Sequence, residues 1–345
     1  MPRDKAVVAA LIGAAGAVVA SVVGVAALIL FDPDSPQPNP PPLTTTTPTA
    51  PAPARITVGD YPLGAAVSPD GRRAYIANRD SDTVSVIDTG SNTVTATIPV
   101  GKNPVDVAVS PDGRRAYIAN DNAAAVSVID TGSNTVTATI PVGNSPHGMA
   151  FALDGRRAYI ANRDSDIVSV IDAENNTVTT TIPVGDYPLG VAVSSDGRRA
   201  YITNGRSDTV SVIDTGSNTV TATIPVGGYP VGVAVSSDGR RAYITNRGSN
   251  TVSVIDDTEN NTVTATIPVG GDPVGVAVSS DGRRAYITNR GSNTVSVIDT
   301  GSNTVTATIP VGNSPHGMAL APNGRRAYIA NRDSDNVSVI DTGIG

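Results

Sequence analysis

Hydrophobic and polar positions along residues 55–345 follow one pattern that repeats. One copy, residues 275–312, reads GVAVSSDGRRAYITNRGSNTVSVIDTGSNTVTATIPVG and holds four runs rich in Val, Ile, Thr and Tyr. Ser-Asp-Gly separates the first two runs, an Asn-rich bend follows, and Thr-Gly-Ser-Asn separates the last two. β-Branched and aromatic residues favour strands, and glycine supplies the positive φ of a tight hairpin. The pattern therefore predicts four antiparallel strands in each copy.

The spacing of the copies indicates a β-propeller. The glycines that end the copies are 42 residues apart, with one step of 43: Gly59, Gly101, Gly143, Gly185, Gly227, Gly270 and Gly312. Four strands in about 42 residues make a propeller blade, and a proline in the fourth run places that strand at the outer edge. The fourth strand is missing after Asp341, while residues 55–59 add one before the first copy. We expect an all-β, seven-bladed propeller whose amino-terminal strand completes the seventh blade.

The repeated signature PxGVAVSxDGRRAYITNRxSNTVSVID resembles the YVTN-repeat family of bacterial and archaeal β-propellers. The tetrapeptide YIAN or YITN stands at the position of the family's name motif in all seven copies. The resemblance covers residues 55–345, and the absence of Trp makes WD40 repeats a poor match. It implies a seven-bladed propeller that is commonly exported or on the cell surface, in a family whose members mostly have no assigned function.

The amino-terminal residues predict export. Residues 6–31 carry no charge and follow Arg3 and Lys5. A helix of that length spans ~39 Å, more than the ~30 Å hydrocarbon core, and the basic flank keeps its start in the cytoplasm. We expect a cytoplasmic segment at 1–5, a transmembrane signal anchor at 6–31, a Pro/Thr-rich disordered linker at 32–54, and a monomeric propeller outside. A cleaved signal peptide with a secreted propeller, or a buried helix, are the alternatives.

Composition excludes several kinds of site. The chain has no Cys, so disulfides and thiolate chemistry are absent. The net charge of −7 argues against nucleic acid as the partner. His147 and His316, the only histidines, lie in two copies of NSPHGMA at a position that holds Leu or Val in the other copies. We predict half-buried packing positions for both, with no metal and no cofactor, because zinc needs three or four ligands.

Two repeated polar motifs have structural explanations. The seven Arg pairs after each Asp-Gly or Asn-Gly turn form a ring on one face. Phosphate binding next to the repeated tyrosines is one interpretation of this ring, but blade-to-blade ion pairs and hairpin capping explain it better, with those tyrosines in the inter-blade core. RDSD, as at residues 79–82, offers the oxygen ligands of calcium yet lacks a known calcium loop, so it indicates a hairpin bend.

The loops before the first strands vary most between copies and hold the candidate binding residues. Aromatic side chains on loops of a rigid scaffold are typical of binding surfaces. The candidates are Tyr61, Lys102, Asp106, His147, Tyr187, Tyr229 and His316. Drift in a surface loop is the competing interpretation.

We therefore expect a membrane-anchored, extracytoplasmic propeller that acts as a binding or cell-envelope scaffold module. Its partners would be the membrane, through the amino-terminal helix, and a cell-envelope protein or glycan. A propeller enzyme of the lyase or lactonase type, with its site in the central channel, is the main alternative, and an inert surface-coat module is the third.

Overall fold

The structure is a computed structural model, and it describes residues 53–256 and 261–343. Seven four-stranded antiparallel sheets make up this part of the chain, and each sheet is one blade. The first strands of the blades contact one another around the central channel. These innermost strands are β2 (Pro62–Val67), β6 (Pro104–Val109), β10 (Pro146–Phe151), β14 (Pro188–Val193), β18 (Pro230–Val235), β22 (Pro273–Val278) and β26 (Pro315–Leu320). The seven-bladed prediction is confirmed.

The two middle strands of each blade are almost wholly buried. The second strands are β3 (Arg73–Asn78), β7 (Arg115–Asn120), β11 (Arg157–Asn162), β15 (Arg199–Asn204), β19 (Arg241–Asn246), β23 (Arg284–Asn289) and β27 (Arg326–Asn331). The third strands are β4 (Thr83–Asp88), β8 (Ala125–Asp130), β12 (Ile167–Asp172), β16 (Thr209–Asp214), β20 (Thr251–Asp256), β24 (Thr294–Asp299) and β28 (Asn336–Asp341). Single 3-10 turns join second to third strands at Asp121–Ala123 and Arg332–Ser334.

The outer strands end at the repeated prolines, and the seventh is supplied by the amino-terminal end of the propeller. They are β5 (Thr93–Pro99), β9 (Thr135–Pro141), β13 (Thr177–Pro183), β17 (Thr219–Pro225), β21 (Thr262–Pro268), β25 (Thr304–Pro310) and β1 (Ala54–Thr57). Strand β1 pairs antiparallel with β28, from Ala54 opposite Val339 to Thr57 opposite Asn336. The predicted closure is therefore confirmed, with β1 starting at the last residue of the predicted linker.

The core lies between neighbouring blades. The tyrosine of each YIAN or YITN motif is buried and packs against aliphatic residues of the next blade, as Tyr75 does against Ala116 and Ile118. The predicted inter-blade role of these tyrosines is confirmed. Because every sheet is covered on both faces, its middle strands carry continuous apolar runs rather than alternation.

The Arg pairs bind differently from the predicted blade-to-blade ion pairs. The second arginine of a pair donates to a backbone carbonyl of the next blade: Arg241 Nη1 to Thr300 O at 2.6 Å, Arg284 to Thr342 at 2.8 Å, and Arg326 to Thr89 at 2.7 Å. The ion-pair prediction is wrong for these arginines because carboxylates such as Asp70 cap their own hairpin. Asp70 accepts from the Ser68 hydroxyl and the Arg72 N–H, which confirms the capping part.

The predicted anchor at 6–31 and most of the predicted linker lie outside the described residues. Within residues 53–256 and 261–343, no helix has the length and hydropathy needed to span a bilayer.

Candidate functional site

The mouth of the central channel lies where the innermost strands begin. One side chain from each blade forms a ring there, which we call the collar: Leu63, Val105, His147, Leu189, Val231, Val274 and His316. The next residue of each blade forms a second ring, the floor: Gly64, Asp106, Gly148, Gly190, Gly232, Gly275 and Gly317. Together they line a cavity of about 150 Å³. Five collar side chains are apolar and buried, and two are histidines.

The floor is glycine in six blades because neighbouring innermost strands approach closely. A one-residue bulge shifts the register at this point, between Pro146 and Met149 in β10. A Cβ added to Gly148 would lie 2.2 Å from the Leu189 carbonyl oxygen of the next blade, and one at Gly317 would lie 2.3 Å from that of Leu63. Neighbouring innermost strands therefore leave no room for a side chain at these two positions.

Asp106 is the only floor residue with a side chain, and that side chain joins two blades. Its Oδ2 accepts a hydrogen bond from the Met149 N–H at 3.0 Å. Burial raises the pKa of this carboxyl to about 7, against the opposing effect of hydrogen bonds from the backbone of Val107 and Met149. Asp106 thus accepts a hydrogen bond from the next blade, whereas elsewhere threonines donate one to the next blade.

Those threonines come from the YITN form of the motif. Thr203 accepts from the Gly190 N–H at 2.8 Å and donates to the Val231 carbonyl of the next blade at 2.7 Å. Thr245 and Thr288 repeat this arrangement. The YIAN blades have alanine there. Threonine hydrogen bonds consequently join blades four to seven at the collar, and Asp106 joins blades two and three.

Both histidines are half-buried in the collar, as the sequence predicted. Burial lowers the pKa of His147 to about 4, with the charge of Arg163 adding to the effect. Burial, followed by the charge of His147, lowers the pKa of His316 to about 3. Both imidazoles are neutral at pH 7. Among the described residues, no group of three or more His, Cys, Asp or Glu side chains is placed to hold a metal ion.

Replacing His147 and His316 together by leucine, the residue at Leu63 and Leu189, should leave the melting temperature nearly unchanged at about pH 7.5. The folded pKa values lie below the unfolded value of about 6.5, so the unfolded chain binds more protons and wild-type stability falls as pH drops from about 6.5 toward 4. The variant lacks this loss and should be the more stable protein at about pH 5. Parallel pH profiles, or a stoichiometric transition metal that the variant loses, would contradict this account.

Above the collar, the loops place three tyrosines in a strained backbone conformation. Tyr61, Tyr187 and Tyr229 have φ values of 57°, 63° and 51°. The equivalent residues of the other blades also have positive φ, and they are the small polar residues Asn103, Ser145, Asp272 and Ser314. An aromatic residue in the left-handed region is an outlier that costs on the order of 1 kcal/mol. The chain therefore keeps tyrosine where asparagine would fit the backbone better.

The RDSD hairpin bends fix these loops. The Tyr61 N–H donates to Asp335 Oδ1 at 2.9 Å, and the Tyr187 N–H donates to Asp166 Oδ1 at 2.8 Å. Each bond joins the bend of one blade to the loop of the next, including the closure between blades seven and one. These aspartates therefore hold backbone N–H groups, in line with the bend interpretation of the motif.

Six arginines surround the same mouth, a position that the sequence did not predict for them. Five directly follow the YIAN or YITN motif and one follows it by two residues: Arg79, Arg163, Arg206, Arg247, Arg290 and Arg332. Guanidinium groups lie over the tyrosine rings, at 4.2 Å for Arg206 over Tyr187 and 4.9 Å for Arg332 over Tyr61. We call this set of arginines and the three tyrosines the rim.

Carboxylates contact most of the rim arginines. Three of these arginines pair with the aspartate that follows them: Arg79 with Asp80, Arg163 with Asp164, and Arg332 with Asp333. Asp121, buried in the blade that has no rim arginine, lies 3.5 Å from Arg163 Nη2. Asp272 accepts from Arg247 Nε at 2.5 Å and from Arg290 Nε at 2.7 Å. Both hydrogen bonds to Asp272 are made by Nε atoms, so the two terminal amino groups of each arginine make none to this carboxylate.

Rim and collar enclose a second cavity of about 170 Å³ directly above the channel. Its lining contains Arg163, Arg247 and Arg290 with both histidines, Tyr187 and Tyr229, and no carboxylate among the described residues. Tyr187 and Tyr229 have ring centroids 6.1 Å apart and are tilted by 56°. The entrance of this cavity is cationic and aromatic, and its base consists of three aliphatic side chains and two neutral histidines.

The structure brings most of the sequence-predicted residues to this mouth. Asp106 lines the channel, and Tyr61 contacts two rim arginines outside the second cavity. Lys102 lies apart from both cavities: its exposed ammonium group pairs with Asp82 on the preceding bend. A binding role for any of the seven candidates stays a prediction.

The fold and this mouth define a seven-bladed propeller with a differentiated channel entrance. The chain belongs to the YNCE-like β-propeller family, whose model matches residues 52–155 and 234–326. The resemblance to YVTN-type propellers is therefore confirmed. A model of the cytochrome D1 heme domain matches residues 116–232.

Among solved structures, Kuenenia stuttgartiensis hydrazine synthase is similar, with 26% identity and a TM-score of 0.77, covering 84% of this chain and 98% of that chain. No curated protein matches the chain.

Proposed function

We propose that this protein is a binding module of the cell envelope that holds its ligand or partner at the channel mouth. The observation that carries the proposal is the set of three tyrosines kept in left-handed backbone and in contact with arginines. Strained residues that persist in a rigid scaffold are typical of functional sites. Among the described residues of the opposite face, no aromatic side chain has a positive φ: the hairpins there have glycine or asparagine at that position, as Gly71 does at 72° and Asn92 at 54°.

Changing Tyr61, Tyr187 and Tyr229 together to asparagine tests this proposal. Asparagine is the natural residue at the equivalent position of the second blade, Asn103. The variant should therefore be at least as stable as the wild type. Binding of the full chain to isolated envelope material of the producing cell should fall by about tenfold or more, because aromatic anchors dominate binding energy. Unchanged binding with unchanged stability would show that the tyrosines at the mouth do not hold the ligand.

We also propose that residues 6–31 anchor the protein in the membrane and that the propeller lies on the extracytoplasmic side, as a monomer. The uncharged stretch and its basic flank support this topology. The Pro/Thr-rich residues after it would hold the propeller tens of ångströms from the bilayer. A cell-envelope protein or glycan is then within reach of the mouth.

Protease added to intact spheroplasts should digest the propeller or release it at the Pro/Thr-rich linker. A cytoplasmic protein in the same cells should survive, which controls for lysis. Full protection of residues 55–345 would reverse the proposed orientation.

An enzyme of the lyase or lactonase type is the second candidate. The observation in its favour is that Asp106, His147 and His316, three groups that can move protons, line one cavity. Incubating the full chain with a panel of lactones tests it. Turnover that disappears in the His147→Leu/His316→Leu variant would favour the enzyme, and absence of turnover would exclude this reaction.

A haem does not suit the cavities in this conformation. His147 lies within the residues matched to the cytochrome D1 heme domain, and histidine is a common haem ligand. The two cavities at the mouth measure about 150 and 170 Å³, below the 300–1,000 Å³ typical of pockets for drug-sized ligands. No step of the proposed function therefore passes through a haem.

A further inference from the structure

Arg247 and Arg290 form a preorganised pair at the mouth. One carboxylate, Asp272, holds both through their Nε atoms, at 2.5 and 2.7 Å. Arg247 also lies over the Tyr229 ring, 5.4 Å from its centroid. The two side chains are 36% and 24% exposed, so they are partly removed from water. Arginines held in this way lose little conformational entropy when their terminal amino groups bind a ligand.

Positive charge exceeds negative charge at one place in the cavity lining, the pair formed by Arg247 and Arg290. Arg163, Arg247 and Arg290 line the cavity together with two neutral histidines, and no carboxylate among the described residues does so. Arg163 is paired with Asp121 and Asp164. Arg247 and Arg290 share one carboxylate, Asp272, which neutralises one of their two charges. In a partly dry site, terminal amino groups that have no acceptor among the described residues favour a bound oxyanion, because charge-assisted hydrogen bonds are stronger there than in bulk water.

The neighbouring surfaces restrict the rest of the ligand. Tyr187 and Tyr229 offer tilted ring faces 6.1 Å apart, and Leu189, Val231 and Val274 are the aliphatic part of the base. A volume of about 170 Å³ admits one small ring or a short chain. A flat aromatic or sugar ring fits against such a wall while its acidic group contacts the arginines.

We propose that the ligand carries a carboxylate or phosphate group that binds between Arg247 and Arg290. Its ring or chain lies against Tyr187, Tyr229 and the collar. This inference rests on the function proposed above. The source of that group is either a free small acid or the acidic end of an envelope polymer.

Calorimetric titration of the full chain in mild detergent tests this inference. The probes are inorganic phosphate, citrate, galacturonic acid, its trimer, and galactose as the uncharged match. We expect at least one acidic probe to bind and galactose to bind more weakly by about tenfold or more. Tighter binding of the trimer than of the monomer would assign the site to a polymer end, and equal binding would assign it to a free acid.

Matched variants locate the site. Arg247→Gln/Arg290→Gln should weaken the acidic probe by about tenfold or more. Arg240→Gln/Arg283→Gln removes the same charge from exposed arginines on the opposite face of the same two blades and should change affinity by less than about twofold. Arg247→Lys/Arg290→Lys keeps the charge, so it tests the site even if the glutamine variant does not fold. It should still weaken binding several-fold, because an ammonium group lacks the planar fork of a guanidinium group.

Three results would overturn the inference: no acidic probe binds, both glutamine pairs weaken binding equally, or the lysine pair binds as the wild type does. If galactose binds as tightly as galacturonic acid, and the tyrosine-to-asparagine variant loses both, the inference fails while the proposed function stands. If envelope material is not retained through the tyrosines, the proposed function fails independently of these titrations.

Discussion

A chain from which residues 55–59 have been deleted is expected to lose its folded propeller at physiological temperature. Strand β1 supplies the outer strand of blade seven, where Ile56 is buried against Val337 and Tyr328. The Val58 N–H also donates to the Asp335 carbonyl at 3.1 Å. Losing one buried isoleucine and the ladder of hydrogen bonds costs on the order of 5 kcal/mol, comparable with the whole stability of many domains.

The same deletion exposes β28 as an open edge, which favours aggregation. Circular dichroism and size-exclusion chromatography should therefore report an unfolded or aggregated protein. A chain that lacks only residues 1–52 keeps β1 and should melt as the full chain does. Equal melting temperatures for the two truncations would mean that the ring does not close through this strand.

Gly148→Ala should be the most destabilising of the conservative single substitutions at the mouth. Its Cβ would lie 2.2 Å from the Leu189 carbonyl oxygen and 3.0 Å from the Gly190 Cα of the next blade. Both contacts are with backbone, so two innermost strands must separate before the methyl group fits. Overpacking of this kind costs about 3 kcal/mol. The expected fall in melting temperature is about 2–4 °C per kcal/mol.

Gly216→Ala is the matched control, because its Cβ would meet only Asp214 Oδ1, at 3.4 Å, and no positive φ is involved. Its melting temperature should stay within about 2 °C of the wild type. Equal effects of the two substitutions would show that close packing of the innermost strands does not stabilise the channel.

The blade architecture could be predicted from the sequence because the same pattern of strands and turns occurs in seven copies. The step of 42 residues sets the four-strand unit, the proline at the end of each fourth run places it at an edge, and the extra run at 55–59 indicates the closure. Each of these signals is local in the chain. The partners of the Arg pairs were predicted wrongly, because pairing across blades depends on how neighbouring hairpins lie and not on residue type.

The rim was missed for a related reason. Arg79 and its equivalents lie in the bends after the second strands, about 20 residues after the loops that hold the tyrosines. Only the packing of blades brings Arg332 and Tyr61 together across the closure. One signal was present: arginine recurs directly after YIAN or YITN, on the same side of the blade as the proline loops. The contacts of Asp272 with Arg247 and Arg290 join two blades, and no sequence motif within one copy of the repeat predicts them.

Photocrosslinking in intact cells tests most directly the claim that the mouth binds a partner. Benzoylphenylalanine would replace Tyr229 in the rim, and in a second strain it would replace Leu153, an exposed residue at the opposite end of β10. We predict an adduct of one defined composition from position 229, absent from position 153 and lost when Tyr61 and Tyr187 are changed to asparagine. The same adduct from both positions, or an adduct from position 153 alone, would contradict the claim.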